Sequence, residues 1–271
     1  MKIYPNGATA HSGGNRAPDF HFRKEVKGWS YTTALRQRKF LWSVQPEGLH
    51  GTGYAMTLTV KDLPANAAVW NRMRKQWWQR AQRLGADRLH WVTELQERGV
   101  PHLHCAVYYP GDHSPGVAWL LAIAWVQVCE ANGVGASLAG QDGKSIDGPL
   151  GWLKYMAKHA SRGAAHVQRQ GMPPGWVSSG RMWGHSGAWP TVEPVEVMIR
   201  PLEFYRLRRL MRAWSIADAR SRNDRKRVRY LRRAPSIVSD PNRSRFQAVS
   251  EWVPERVSLR LMDLLDRESG S

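Results

Sequence analysis

Three groups of residues in this chain carry side chains that could work together on one reaction. His102-Leu103-His104 falls in the run His102 to Tyr109, which reads as a β-strand. On a strand, residues i and i+2 share a face, so both imidazoles can reach one ion while Leu103 packs into the core. Glu94 ends a second strand, Leu89 to Leu95, across a turn at Glu97-Arg98-Gly99. A hairpin places it beside the histidine pair, and two imidazoles with a carboxylate suit a divalent ion that keeps positions for water and a phosphate oxygen. Alternation puts His90, Val92, Glu94 and Gln96 on one face, whereas Glu97 is nearer in sequence but lies in the turn. The third group is Tyr155-Met156-Ala157-Lys158. A tyrosine is a poor nucleophile at its ordinary pKa of about 10. Lys158, one helical turn onward, can favour the phenolate or hold a target phosphate. Each piece also has a plain structural reading: a core histidine pair, a solvated glutamate, a packed tyrosine, or cations complementing a helix C-terminus. Their joint occurrence points to chemistry on a phosphate.

The elements that must position these residues follow from hydrophobic period and turn residues. Tyr54 to Val60 is β-branched and aromatic, a first strand. Residues 65–84, after Pro64, place Val69, Met73, Trp77 and Leu84 near helical spacing. Val117 to Asn132 is an apolar helix stopped at Asn132-Gly133, and the Gly-rich stretch 133–148 has room for a short strand. Asp147-Gly148-Pro149 opens a helix over 150–162, with Pro in its first turn and Gly163 after its last. On that helix Leu153, Met156, Ala157 and Ala160 are the expected buried side. Trp152, Tyr155, Lys158, His159 and Arg162 form a separate stripe. Residues 171–190 read as loop, Val195 to Arg200 as a strand, Pro201 to about Ala219 as an amphipathic helix, 234–255 as loop and 256–267 as a short helix. Residues 1–28 read as loose and 29–53 as irregular. The expected fold class is α+β, an antiparallel central sheet with helices on one face and a basic helical C-terminal extension. The expected division is an N-terminal extension (1–50), a catalytic domain (51–200) and a basic C-terminal region (201–271).

Lys and Arg number 40 against 22 Asp and Glu, a net charge of +18, and nucleic acid is the usual partner for such an excess. The charge is clustered: residues 206–233 hold twelve basic residues against Asp218 and Asp224, a net of +10. Within it Arg222, Arg225, Lys226, Arg227 and Arg229 are the candidate phosphate contacts, a sequence-independent task; the plain alternative is a solvated basic helix. Of the 14 tryptophans, Trp70, Trp77 and Trp125 sit at core spacings, while Trp183 is a candidate for stacking on an unpaired base. No apolar run reaches membrane-spanning length, and the N-terminus has no signal-peptide core. Cys105 and Cys129, the two cysteines, lack metal-ligand spacing. The expected setting is the reducing cytoplasm of a bacterial host.

Together the motifs resemble those of HUH rolling-circle replication initiators from small plasmids and filamentous phages, over roughly residues 50–190. Thr57-Leu58-Thr59 is similar to the first motif of that family, His102-Leu103-His104 to the HUH motif, and Tyr155-Met156-Ala157-Lys158 to the Y-x-x-K motif of its single-tyrosine members. Glu94 stands where the family's acidic metal ligand is expected. Gly180-Arg181-Met182-Trp183-Gly184 resembles a segment common after the tyrosine, which adds Arg181 to the candidate DNA contacts. Lys158 and His159 stand where two-tyrosine members carry their second tyrosine, so the reaction cycle differs from theirs. Gly143-Lys144-Ser145 suggests a phosphate loop, but Leu138 replaces the glycine it needs, so a host helicase must unwind the duplex.

The resemblance implies an HUH, RRM-like fold and metal-dependent nicking of single-stranded origin DNA, with magnesium or manganese held by His102, His104 and Glu94. Tyr155 attacks and leaves a 5′-phosphotyrosine and a 3′-hydroxyl; the 3′-hydroxyl primes a host DNA polymerase. The competing readings are an HUH relaxase or transposase, a non-catalytic DNA-binding replication protein, and a small-molecule metalloenzyme. Relaxases usually place the tyrosine ahead of the histidines, HUH transposases tend to be smaller, and a metalloenzyme leaves the charge unexplained.

Overall fold

A computed structural model describes residues 1–11, 26–164, 166–232 and 248–267. The chain separates into two compact units, His21–Thr191 and Met1–Phe20 with Val192–Ser271.

The larger unit is built on a five-stranded antiparallel sheet. Its strands are β3 (Thr52–Thr59), β4 (Arg88–Leu95), β5 (Pro101–Tyr109), β6 (Asp142–Ile146) and β7 (Trp183–Ser186), in the order β6-β3-β5-β4-β7. β4 and β5 form the expected hairpin. Its turn closes through the Gln96 amide on Val100 O at 2.9 Å and the Gly99 amide on Gln96 O at 2.8 Å, and Gly99 has φ 77°, a left-handed conformation natural to glycine.

One sheet face carries Leu58, Leu89, Trp91, Leu103, Cys105 and Val107 against α2 (Ala67–Arg83) and α3 (Gly116–Ala131). Trp70, Trp77 and Trp125 lie in this core and meet edge to face, and the Trp77 indole donates to Leu121 O at 3.0 Å. Leu84 is not part of the α2 stripe. It caps the helix C-terminus and is 40% exposed, and Ala81 holds the last buried position instead. The other face is covered by α1 (Tyr31–Ser43) and α4 (Gly148–Ala160), so helices flank both sides of the sheet rather than one. The α+β class and the antiparallel central sheet are as expected.

Several local expectations are corrected. Residues 31–43 form a helix whose N-cap Ser30 accepts from the Thr33 amide at 3.1 Å. Its buried stripe is Ala34, Gln37, Leu41 and Trp42, and the glutamine interrupts the apolar pattern. Residues 183–186 are an edge strand on β4 within a Gly/Pro/Trp-rich segment. The short strand allowed within 133–148 is β6, on the free side of β3.

The smaller unit holds a four-stranded antiparallel sheet. Its strands are β1 (Lys2–Tyr4), β2 (Gly7–His11), β8 (Val195–Glu196) and β9 (Ala248–Glu251), ordered β8-β1-β2-β9. The first eleven residues are therefore a hairpin and not loose chain; three- and five-residue strands are too short to show a period. The strand expected at 195–200 is only two residues long. Part of the loop expected at 234–255 is β9, and residues 233–247 lie outside the described residues. α5 (Pro201–Ser221) and α7 (Glu255–Arg267) pack Phe204, Leu207, Met211, Leu261 and Leu265 against Ile3 and Ala10. A short helix, α6 (Arg225–Arg232), follows α5 after a turn in which Asn223 takes φ 56°.

Leu103 is fully buried between the two histidines of its strand. Leu103→Ala is expected to cost about 2–5 kcal/mol of stability, whereas Leu150→Ala, at a position 70% exposed, should change it by less than about 0.5 kcal/mol. Urea unfolding midpoints of both variants test the assignment of the core face.

Candidate active site

The register of the hairpin decides what meets on the second sheet face. Glu94 pairs with His102, Val92 with His104 and His90 with Ala106, while Thr57 and Thr59 of β3 lie across from His104 and His102. Directly opposed residues point the same way, so Glu94, His102 and His104 share one patch. All three are buried, and their ligand atoms lie within 4.8 Å of one another. The Nε2 atoms of His102 and His104 stand 2.9 Å apart, and His104 Nε2 is 3.6 Å from Glu94 Oε2. The three ligand atoms are close enough to one another to be shared by one divalent ion. The orientation of His104 is fixed by a contact of 3.1 Å between its Nδ1 and Thr57 Oγ1, the kind of outer support that ligating histidines use. Among the described residues His102 Nδ1 is buried without a partner.

Burial keeps the imidazoles neutral, the form that can ligate. His102 is pushed down to about 4 by loss of solvation, against the opposing pull of Glu94. His104 is pushed down to about 2 by loss of solvation and then by His102. Glu94 does not face this patch alone. Arg169 Nε donates to its Oε1 at 2.8 Å, and Arg162 binds its Oε2. Arg169 is itself buried, packs over the Trp29 ring at 3.9 Å and donates to Arg162 O. A carboxylate oxygen has lone pairs for more than one partner, so the arginines hold Glu94 in place and leave it capable of meeting an ion.

Helix α4 lies across this face. Its buried residues are Trp152, Tyr155, Met156, His159 and Ala160. The stripe expected to be set apart is thus largely the buried one, because the sheet face beneath it is the polar, aromatic face. Leu153 and Ala157 are only partly covered. Tyr155 Oη is 2.8 Å from His90 Nδ1, and the phenol packs against Trp152 and His159 with centroids 5.4 and 4.6 Å apart. His159 in turn lies 5.3 Å from the His104 ring. Burial raises the Tyr155 phenol well above its ordinary range and lowers His159 well below its own. Lys158 is exposed, and its ammonium is lowered first by loss of solvation and then by Arg162. Among the described residues no hydrogen bond joins it to Tyr155.

Trp183 is not a loop residue: it is half-buried on β7 against Phe40 and His90, with centroids 6.0 and 6.3 Å apart. Arg181 is exposed just before it. Arg222, Arg225, Lys226, Arg227 and Arg229 belong to the other unit, exposed around the α5–α6 turn, where Arg220, Arg225, Arg229 and Arg232 line a groove. Arg222 is paired with Asp218. Sequence reasoning left the role of His90 open and missed Arg169 and Phe40. The alternation that found Glu94 also places His90 on the site face, but Arg169, in a 3-10 turn, carries no sequence signal.

Comparison with known proteins gives the chain a family. Two Xylella fastidiosa proteins named as replication proteins are similar to the chain. One, from strain 9a5c, is 43% identical over 246 residues, covering 88% of this chain and 85% of its own length. The other, from strain Temecula1, is 43% identical over 242 residues, covering 85% and 89%. The replication-associated protein of Pseudomonas phage Pf3 is 38% identical over 247 residues, covering 90% of this chain and 87% of its own. The chain belongs to this family of replication proteins. No family profile and no solved structure matches it, and no described helix is long and apolar enough to cross a membrane.

Glu94→Gln should leave two guanidinium groups around a buried neutral amide and cost roughly 3–5 kcal/mol; unchanged unfolding free energy would show that the pairs are not formed. The pH dependence has a definite sign. His90 is lowered to about 3, first by loss of solvation and then by His185 and Arg169. The unfolded chain therefore binds the proton first, and the stability contributed by neutral His90 is present above about pH 6.5 and lost as pH falls toward 3. Stability measured from pH 7 to pH 4 is expected to fall less steeply in His90→Phe than in wild type, by up to about one bound proton.

Proposed function

We propose that the protein initiates rolling-circle replication by nicking and rejoining one strand of its origin, as an HUH endonuclease with Tyr155 as nucleophile. What carries this reading is one convergence in a replication-protein family. Glu94, His102 and His104 gather on a single sheet face, and α4 brings Tyr155 against that same face.

His102, His104 and Glu94 would hold magnesium or manganese, and a bound ion supplies Lewis-acid polarisation of a phosphate oxygen. The phenol oxygen of Tyr155 forms a bond to the scissile phosphorus as the bond to the 3′-oxygen breaks. The 5′-phosphate then stays on the enzyme, and the freed 3′-hydroxyl serves a host polymerase. The phosphodiester energy is kept in the linkage, so rejoining is the reverse attack. Lys158, exposed at the end of the helix, is suited to the strand's phosphates. Arg181, the arginines of the α5–α6 segment and Lys226 supply cationic contacts to the backbone, with a strong salt dependence, and Trp183 contributes an aromatic edge beside the site. A host helicase supplies unwinding, since Lys144 stands on a strand and not in a phosphate-binding turn.

The test is a nicking assay on single-stranded origin DNA with magnesium or manganese, run on denaturing gels that retain covalent adducts. Wild type should give a metal-dependent adduct that is absent from Tyr155→Phe and from His102→Ala. Tight origin binding without any adduct would instead identify a non-catalytic DNA-binding replication protein.

A further inference from the structure

The side chain that touches the Tyr155 hydroxyl is His90, and nothing about binding an ion requires it to be a histidine. His90 is completely buried on β4, with Nδ1 at 2.8 Å from Tyr155 Oη and, among the described residues, no partner for Nε2. An imidazole with one unsatisfied nitrogen is a costly occupant of such a place, because a buried polar atom without a partner costs stability; what it gives in return is the hydrogen bond to Tyr155 Oη. The ring is held tightly from the other side. Phe40 stacks on it with centroids 5.7 Å apart and planes 15° from parallel, and Phe40 is itself stacked on His185 at 4.1 Å. The Tyr155 ring stands at 87° to the His90 ring, and Trp152 and His159 close its flanks. The phenol is thereby fixed in one orientation by one hydrogen bond and three rings.

We infer that His90 is a positioning residue for the nucleophile: its Nδ1 accepts the Tyr155 hydrogen bond and so directs the phenol oxygen's lone pairs for attack. This rests on the nicking reading above. In that step the phenol gives up its proton, an oxygen–phosphorus bond forms, the phosphorus–O3′ bond breaks and O3′ takes up a proton. The proton count balances, and no oxidant or reductant enters. Loss of solvation keeps His90 neutral, which suits an acceptor that orients the hydroxyl without retaining its proton. Orientation of a reacting group accounts for large rate factors when the geometry is lost.

The experiment compares wild type, Tyr155→Phe, His90→Phe and His90→Asn in the full chain, with single-stranded origin DNA and magnesium. Single-turnover adduct formation, DNA affinity and thermal unfolding are measured for each. His90→Phe keeps the ring stack and removes the hydrogen bond; His90→Asn sets an amide oxygen where Nδ1 stood. The expected result is that His90→Phe folds and binds DNA as wild type does but forms adduct about 100-fold more slowly, while His90→Asn recovers to within about 10-fold of wild type. An unchanged rate in His90→Phe would overturn the inference. So would a defect confined to DNA affinity, or an equal loss in both His90 variants. A wild type that forms no adduct would overturn the nicking reading itself, and this inference with it.

Discussion

The antiparallel register of β4 against β5 is the constraint on which the rest of the molecule depends. Because Glu94 is opposite His102 and Val92 opposite His104, one sheet face collects a carboxylate and two imidazoles while the other collects Leu103, Trp91 and Cys105. A slip of one residue would exchange the two faces completely. It would put the histidines among the tryptophans of α2 and α3 and Leu103 under α4. The tight turn at Gly99 and the largely apolar core face, interrupted by Thr93, which accepts from the Trp70 indole at 3.0 Å, fix that register. Hydrophobic packing on one side thus sets the geometry of the polar side.

The polar face carries an unusual load of buried ionisable groups: His90, His102, His104, His159, Glu94 and Arg169. Such groups are retained only where they are paired or kept neutral. Both solutions are visible. The histidines are neutral through loss of solvation, and Glu94 is matched by two guanidinium groups. The arrangement is expensive for a protein that only had to fold, and it gathers neutral ligand nitrogens, a fixed carboxylate and a phenol on one surface. Relatives at 38–43% identity over most of the chain place this surface in a replication protein.

Much of this was legible in the sequence for a physical reason. Strand alternation and helical spacing are local, so His102, His104, Glu94 and Tyr155 were placed on elements whose real bounds differ by only a few residues. What was not legible depended on contacts distant in sequence. Gln37 in the buried stripe of α1 hid that helix, and only packing against α4 and His90 gives it its place. The edge strand at Trp183 forms because β4 offers it a free edge, not because its Gly-rich residues favour a strand. The buried side of α4 was half legible: Met156 and Ala160 are buried as expected, but Trp152, Tyr155 and His159 are buried in place of Leu153 and Ala157 because the surface the helix covers is the polar face of the sheet. Arg169 pairs with Glu94 across 75 positions of sequence, a relation that no local pattern reveals.

The decisive measurement is the identity of the residue that carries DNA after reaction. The protein would be incubated with a short single-stranded origin oligonucleotide and a divalent ion, digested, and the nucleotide-linked peptide identified by mass spectrometry. The nucleotide is expected on the peptide containing Tyr155-Met156-Ala157-Lys158, attached through the phenol oxygen. Attachment at any other tyrosine would contradict the proposed mechanism, since among the described residues Tyr155 is the tyrosine whose hydroxyl meets His90 on the face that holds Glu94, His102 and His104.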